Sequence, residues 1–440
     1  MQQKRVNIVI QKKCRMKKSI LFLSGLLLSF HMSHAGGFKI GMQGVNQLGM
    51  GHTGIGFAQD AATIYFNPGG MGFTESQVNG GVHLLIPSVS FLNNKTNELT
   101  QATSQVFTPF SVYATAKVSP RIHLGIGVYT PFGSGMMYPT DWSGRYILSS
   151  IELQSIYVQP TISYRVSDEW SIGAGVVFAN GNVNLQKDLP LMSGSEQTIA
   201  HATLDGKAKG NGYNVGAYYK PNCKTSFGVT YHSKVKMKVE KGDAMFDNVP
   251  QALASSFPAK NTFSTELNLP SELGIGFAKK LTSRTRFAFD VNYTFWKSFD
   301  SLGFDYGTNS SQLVDSKSPR LYKNALGFHA GFQTCVSYVT TLRVGAFYDQ
   351  TPVQDGYVAP ELPDNNKVGL TAGASFLLHD RVRLDLSCLY EQVAKRSQVN
   401  KETGLDGTFK TKVIAPGVGI SYLFGKKACC SKSGKCCSKD

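Results

Sequence analysis

From Gln77 onward, apolar and polar residues alternate in segments of about ten, the length and period of tilted strands that cross a bilayer. Residues 121–129 (Arg-Ile-His-Leu-Gly-Ile-Gly-Val-Tyr) and 170–178 (Trp-Ser-Ile-Gly-Ala-Gly-Val-Val-Phe) alternate this way, the second with small residues on one face. The connections alternate in length. Short polar turns fall at 118–121, 166–169, 221–224, 281–284, 334–338 and 379–381. Longer loops fall at 92–105, 131–150, 187–206, 240–261, 298–319, 351–365 and 395–407. Six turns and seven loops require fourteen strands. The predicted fold is all-β: an antiparallel transmembrane β-barrel over 77–424, with short turns on the periplasmic side and long loops outside. Aromatic residues near segment ends are expected in interfacial girdles: Tyr157, Tyr164, Trp170, Tyr293, Phe295, Trp296, Tyr390, Tyr422 and Phe424. A soluble sandwich or propeller would use shorter strands or a fixed blade repeat, which this chain lacks.

The stretch before the first strand breaks the pattern. Residues 36–76 are rich in glycine and small polar residues, hold no sustained period, and contain the turn-forming triplet Asn67-Pro68-Gly69. Such a segment cannot build its own core and needs walls around it. It is expected to fold back into the barrel lumen as a hatch, with Asn67, Pro68 and Gly69 at its gate.

The first 35 residues read as a secretory signal: Lys17-Lys18, the apolar run Ile20 to Phe30, and Ser33-His34-Ala35 as the cleavage site. Met16 offers an alternative start. No run of eighteen apolar residues exists outside this leader, which excludes a helical membrane protein. The formal net charge of +16 sits mostly at the two ends. Residues 1–35 hold seven Lys/Arg and no acids, and 425–440 hold five Lys and one Asp, leaving +5 on the body. No basic stripe interleaved with aromatics points to nucleic acid. Of the eight cysteines, Cys14 leaves with the leader, Cys223, Cys335 and Cys388 stand far apart, and four crowd the basic C-terminal tail. The body therefore shows no disulfide framework. The tail pattern is that of a flexible end, with soft-metal binding or disulfides as its alternatives.

Several stretches carry a family resemblance in order: Tyr129-Thr130-Pro131-Phe132-Gly133, Asp141-Trp142-Ser143-Gly144-Arg145-Tyr146, the strand pair 156–178, Tyr231 to Lys236, Leu269 to Leu273, and Tyr348 to Val353. Together they resemble the FadL family of outer-membrane transporters for long-chain fatty acids and other hydrophobic compounds. The resemblance implies a monomeric fourteen-stranded barrel with a luminal hatch, in the outer membrane of a Gram-negative bacterium. Extracellular loops would capture ligand, and a lateral opening beside a kinked third strand would release it. Asn67-Pro68 matches the family's hatch turn, with Gly69-Gly70 in place of its alanine. The kinked strand maps to 121–131, where Gly125, Gly127 and Pro131 are the residues able to weaken a ladder.

A fatty acid needs apolar surface with a cation at its end. Met245, Phe246, Val249, Leu253 and Phe257 fall at helical spacing in one loop and are expected to form a capture groove or a helix packed on the rim. Arg145, Lys317, Arg320 and Lys323 are the candidate carboxylate partners, each weighed against an ordinary solvated rim charge. Asn180 stands where the resemblance would place a ligand-holding arginine, so an aromatic hydrocarbon is the alternative cargo. No cofactor is implied, and no catalytic or metal residue is assigned: the chain lacks a nucleophile elbow, a His-Glu-x-x-His motif and a phosphate-cradling glycine loop. A general aqueous porin and a lipid-acting barrel enzyme are the competing functions.

Overall fold

The computed structural model describes Gly37–Phe424 apart from Gly194. The leader, the alternative start and the cysteine-rich tail lie outside the described residues. Among the described residues no helix is long and apolar enough to cross a membrane. The wall consists of β1 (Gln77–His83), β2 (Phe110–Lys117), β3 (Ile122–Tyr129), β4 (Ser150–Arg165), β5 (Trp170–Ser193), β6 (Glu196–Tyr219) and β7 (Thr225–His232). It continues through β8 (Glu272–Lys280), β9 (Thr285–Thr294), β10 (Ala325–Cys335), β11 (Thr340–Asp349), β12 (Lys367–His379), β13 (Val382–Val393) and β14 (Asp406–Leu423). Each strand pairs antiparallel with the next, and β14 returns to β1 from Gln77↔Leu423 to His83↔Gly417. The fourteen-stranded barrel is closed, so no wall edge is left unpaired.

Alternation becomes geometry in this wall. Along β5, Val177 and Ala179 are buried in the lumen, while Ile172, Val176 and Phe178 are about half exposed on the outer face. Ile162, Val229, Ile275, Val344, Leu370 and Ile420 extend that exposed apolar belt around the molecule. On a water-soluble protein such a belt would be untenable; here it is the surface that lipid covers. At the short-turn rim Trp170 stacks on Tyr219 with centroids 4.3 Å apart, and Tyr164, Tyr422 and Phe424 are also exposed there, while Tyr390 is exposed toward the loop end of β13. Tyr157 and Trp296 do not join the girdle. Both are buried on the lumen side: Tyr157 sits at an inward position of β4, and Trp296 lies in a 3-10 turn after β9, where it packs against Phe38 of the plug.

The long loops are less irregular than their composition suggests. Residues 187–206 form the end of a hairpin in which β5 and β6, 24 residues each, stay in register from Trp170↔Tyr219 to Ser193↔Glu196. A third strand, Val235–Asp247, joins β6 above the point where β7 ends, and Lys260–Leu269 pairs with it in turn. The wall thus continues as a sheeted turret beyond the length a bilayer requires. Its inner face packs Leu204, Met237, Val239, Phe246, Phe263 and Leu269 into one cluster.

The segment 37–74 lies inside this wall. It contains two single-turn helices, α1 (Val45–Leu48) and α2 (Thr63–Phe66), and a 3-10 helix over Pro68–Phe73. Leu48, Met50, Ile64 and Met71 are fully buried. Its backbone approaches the wall where the wall carries glycine. A Cβ on Gly216 would lie 2.2 Å from Asn67 Oδ1, one on Gly173 2.4 Å from the Pro68 carbonyl carbon, and one on Gly276 2.2 Å from the Gly56 nitrogen. On the far side of the barrel, a Cβ on Gly345 would lie 2.2 Å from the Gly51 nitrogen. These glycines let the plug seat directly on the sheet, which a side chain would prevent. Gly276→Val is therefore expected to displace the Ile55–Gly56 turn and to destabilise the protein by about 1–3 kcal/mol. Denaturant unfolding measures the loss, and raised protease sensitivity confined to 37–74 locates it.

Candidate functional site

The inward faces of β4–β6, the turret and the loops over 297–320 and 359–403 enclose a cavity of about 330 Å³ above the plug. Strand parity places its lining. Gly181, Val183, Leu185 and Lys187 are successive inward positions of β5, facing Leu204 and Ala208 of β6. Met237, Val239, Leu267, Leu269 and Phe304 complete an apolar barrel of side chains. Phe38 and Phe132 close the bottom, and Tyr146, Arg320, Glu361, Asn400 and Glu402 stand at the polar end.

The floor is built by the start of the plug segment. Ile40 donates its N–H to the Pro131 carbonyl at 2.8 Å, and Gly133 donates to Phe38 at 3.0 Å, so residues 38–40 add a short strand to the connection after β3. Trp296 and Phe299 support the Phe38 ring, with centroids 6.4 and 5.6 Å away. Just beneath, the Lys39 ammonium pairs with Glu272 at 2.5 Å, and Thr294 Oγ1 donates to the same carboxylate at 2.9 Å. Burial alone would lower the Lys39 pKa; Glu272 more than offsets this and holds it above the ordinary value. Below this septum lies a second void of about 220 Å³, lined by paired groups: Lys39–Glu272, His329–Asp349 at 3.1 Å and Lys367–Glu391 at 3.9 Å. His52 also lines it, and burial followed by repulsion from His329 keeps that imidazole well below its ordinary pKa, hence neutral at pH 7.

The sequence-assigned residues fall in several places. Asn67 is fully buried: its Oδ1 accepts from Gly69 N–H at 3.0 Å, and its Nδ2 donates to Ile55 and Ala217 carbonyls at 3.1 and 3.0 Å. One amide thus ties the Asn67-Pro68-Gly69 turn, the preceding plug turn and β6 together. Gly125 and Gly127 lie in ladders that run without a register shift on both sides of β3. Their inward faces admit Ile64, Met71 and Tyr113 rather than bending the strand. The irregularity comes at Pro131: pairing with β4 slips by one residue between Tyr129↔Tyr157 and Gly133↔Gln154.

The expected helix over 245–257 is not formed. Met245 and Phe246 end a strand, and only Gln251–Leu253 make a 3-10 turn. Phe246 and Phe257 face each other inside the turret at 5.7 Å and are buried, with Val249 and Leu253 packed against the same cluster. Ladder bonds to β6 and to Lys260–Leu269 outweigh the helical spacing. Of the cations, Arg320 reaches the cavity, but its guanidinium is held between Glu361 at 2.8 Å and Glu402 at 3.5 Å. Arg145 lies outside the lining, 3.7 Å from Asp188 and over the Tyr146 ring. Lys317 is exposed and Lys323 half-buried away from the cavity. Asn180 points out of the barrel, one residue out of phase with the lumen.

Phe38, Val183, Leu185 and Lys187 were not singled out by the sequence, and Phe132 and Trp296 were marked only within a family stretch and as a girdle aromatic. The signal for Val183, Leu185 and Lys187 was the alternation of 183–187, which does not by itself say that this face lines a chamber and which the loop assigned to 187–206 cut short at Lys187. Cys223 and Cys335 are each disulfide-bonded, contrary to the reading of their spacing, because sequence separation says nothing about approach in space. Cys388 is a free, exposed thiol. Two imidazole–carboxylate pairs exist among the described residues, His201–Asp188 at 2.8 Å and His329–Asp349 at 3.1 Å. Among the described residues no serine or cysteine hydrogen-bonds to either ring, so neither pair forms a nucleophilic triad.

A closed barrel with a lipid-facing belt, a plugged lumen and an apolar chamber over the plug defines an outer-membrane transport barrel. The chain belongs to the family described as outer membrane protein transport protein (OMPP1/FadL/TodX), which it matches over residues 26–424. It is 22% identical to a long-chain fatty acid transport protein of Escherichia coli O6:H1, over 94% of this chain and 98% of that one. Its fold is similar to that of a Pseudomonas aeruginosa FadL homologue, with a TM-score of 0.78 at 19% identity, covering 89% of this chain and all of the other. The Pseudomonas putida toluene transporter TodX follows with a TM-score of 0.69 at 18% identity, covering 89% of this chain and 99% of the other. The protein is a Gram-negative outer-membrane barrel.

Proposed function

We propose that the protein carries long-chain fatty acids or similar hydrophobic molecules passively across the outer membrane. The observation behind this reading is the apolar chamber of about 330 Å³ at the loop end of a plugged lumen. An aqueous channel would have no use for either feature. A molecule with a long apolar tail gains about 0.8 kcal/mol for each methylene buried there, which supplies capture without an energy source. The plug, with Asn67, Pro68 and Gly69 seated against β5 and β6, acts as the gate. Ligand pressing on the Phe38–Phe132 floor would have to displace residues 38–40 from the Pro131 connection. Beside that floor a small void of about 30 Å³ is lined by Lys39, Pro131, Phe132, Ser233 and Tyr213. Tyr213 is half exposed on the outer wall, which supports reading this void as the start of a path from lumen to lipid. Lateral release there would spare the cargo an aqueous crossing.

Mass spectrometry of the barrel purified in mild detergent tests the reading. A co-purifying fatty acid or hydrocarbon at near-stoichiometric level is the expected result. A steady open channel of porin size in planar bilayers would overturn it.

A further inference from the structure

Among the described residues the chamber has two cations at its walls, Lys187 and Arg320, and they differ in one respect. Arg320 is already shared by Glu361 and Glu402, so that group carries more negative than positive charge and repels an anion. Lys187, half-buried on the inward face of β5, has no hydrogen-bond or ion-pair partner for its ammonium among the described residues. The neighbouring carboxylate does not serve it. Asp188 has the opposite strand parity and is engaged by His201 at 2.8 Å and Arg145 at 3.7 Å. A cation lifted partly out of water without a counter-charge is unfavourable, and folding alone gives no return for placing it there.

The rest of the β5 face explains the placement. Lys187, Leu185, Val183 and Gly181 follow one another along the chamber wall, so from the ammonium to the floor the strand runs about 20 Å. One end of that line is a free cation and the remainder is apolar. Ala208 lies opposite Gly181 in the β5–β6 register and keeps the lower part of the chamber open.

We propose that Lys187 is the headgroup anchor of this chamber and selects amphiphiles with a single carboxylate over neutral hydrocarbons. This inference rests on the uptake reading above and narrows its cargo. The carboxylate accepts hydrogen bonds from the Lys187 ammonium, and the acyl chain lies along Leu185 and Val183 toward Phe132. None of the cations marked by the sequence offers this combination, since Arg320 is neutralised and Arg145, Lys317 and Lys323 lie outside the chamber lining.

The test is equilibrium binding of radiolabelled oleate and of methyl oleate to the full-length barrel in detergent. Wild type, Lys187→Met, Lys187→Arg and Ala208→Trp are compared, each checked for the heat-modifiable gel migration of a folded barrel. Lys187→Met is expected to weaken oleate at least about tenfold, the scale of a lost charged hydrogen bond, and to leave methyl oleate unchanged. Lys187→Arg is expected to retain most oleate affinity, and Ala208→Trp to weaken both ligands. Wild-type oleate affinity in Lys187→Met, with loss in Ala208→Trp, would overturn the anchor and leave the chamber reading standing. Unchanged binding in both variants would overturn the chamber reading as well, and equal weakening of both ligands by Lys187→Met would show a packing role and overturn the anchor.

Discussion

Asp290→Ala is expected to convert the closed barrel into a leaky one. The Asp290 carboxylate, on the inner face of β9 and fully buried, accepts the backbone N–H groups of Gly54 and Ile55 at 2.7 and 2.9 Å on one oxygen and Gly56 at 3.4 Å on the other. Three successive amides converging on one anion form a nest, and this one fastens the middle of the plug to the wall. Alanine removes the acceptor and leaves the amides buried without partners, at about 1–3 kcal/mol for each unsatisfied group. Even about 3 kcal/mol in total shifts the seated-to-displaced ratio of the plug more than a hundredfold. Planar-bilayer recordings should then show frequent openings absent from the wild type. Asp290→Asn, which keeps one acceptor oxygen, should open less often. The β9 ladder is made by backbone groups and should survive, so folded yield separates plug release from barrel failure. A silent Asp290→Ala barrel that folds normally would remove Asp290 from the latch.

Ala208→Trp is expected to reduce uptake of a labelled long-chain fatty acid by about two orders of magnitude. Ala208 is buried at the chamber wall, and an indole there would occupy space the ligand needs. Displacing four methylenes from the chamber costs about 3 kcal/mol of burial, roughly a hundredfold in affinity. Val176→Trp is the matched control. It adds an indole to the same sheet on the half-exposed outer face, where lipid accommodates it, and uptake should stay at the wild-type level. Uptake by the Ala208→Trp barrel equal to that of the control would place the ligand path elsewhere.

Both substitutions depend on residues whose roles differ in legibility. Asp290 stands in the sequence as one acid in an alternating strand, and nothing local announces that its partners lie 234 to 236 residues earlier. The glycines that receive the plug look like ordinary strand glycines. Their purpose appears only when Gly56 and Asn67 are seen resting on Gly276 and Gly216. The turret was missed for a related reason. Alternation continues past the membrane in β5 and β6 through 187–206, a span whose irregular, partly polar composition reads as a loop.

What the sequence determined by itself was the wall: its span from Gln77, its fourteen strands, and the alternation that gives each strand one lipid face and one lumen face. Those follow from local rules, since a period of two and the length of a turn act within a few residues. It also marked residues 36–76 as a segment unable to fold without walls, and Asn67 as its turn. Tertiary structure decided the rest. Closure of the sheet chose which glycines face the plug, aimed Asp290 at three amides, buried Phe246 and Phe257 instead of exposing them, and neutralised Arg320 while leaving Lys187 unpaired. Most of these depend on which residues approach one another in space, a quantity that periodicity does not carry.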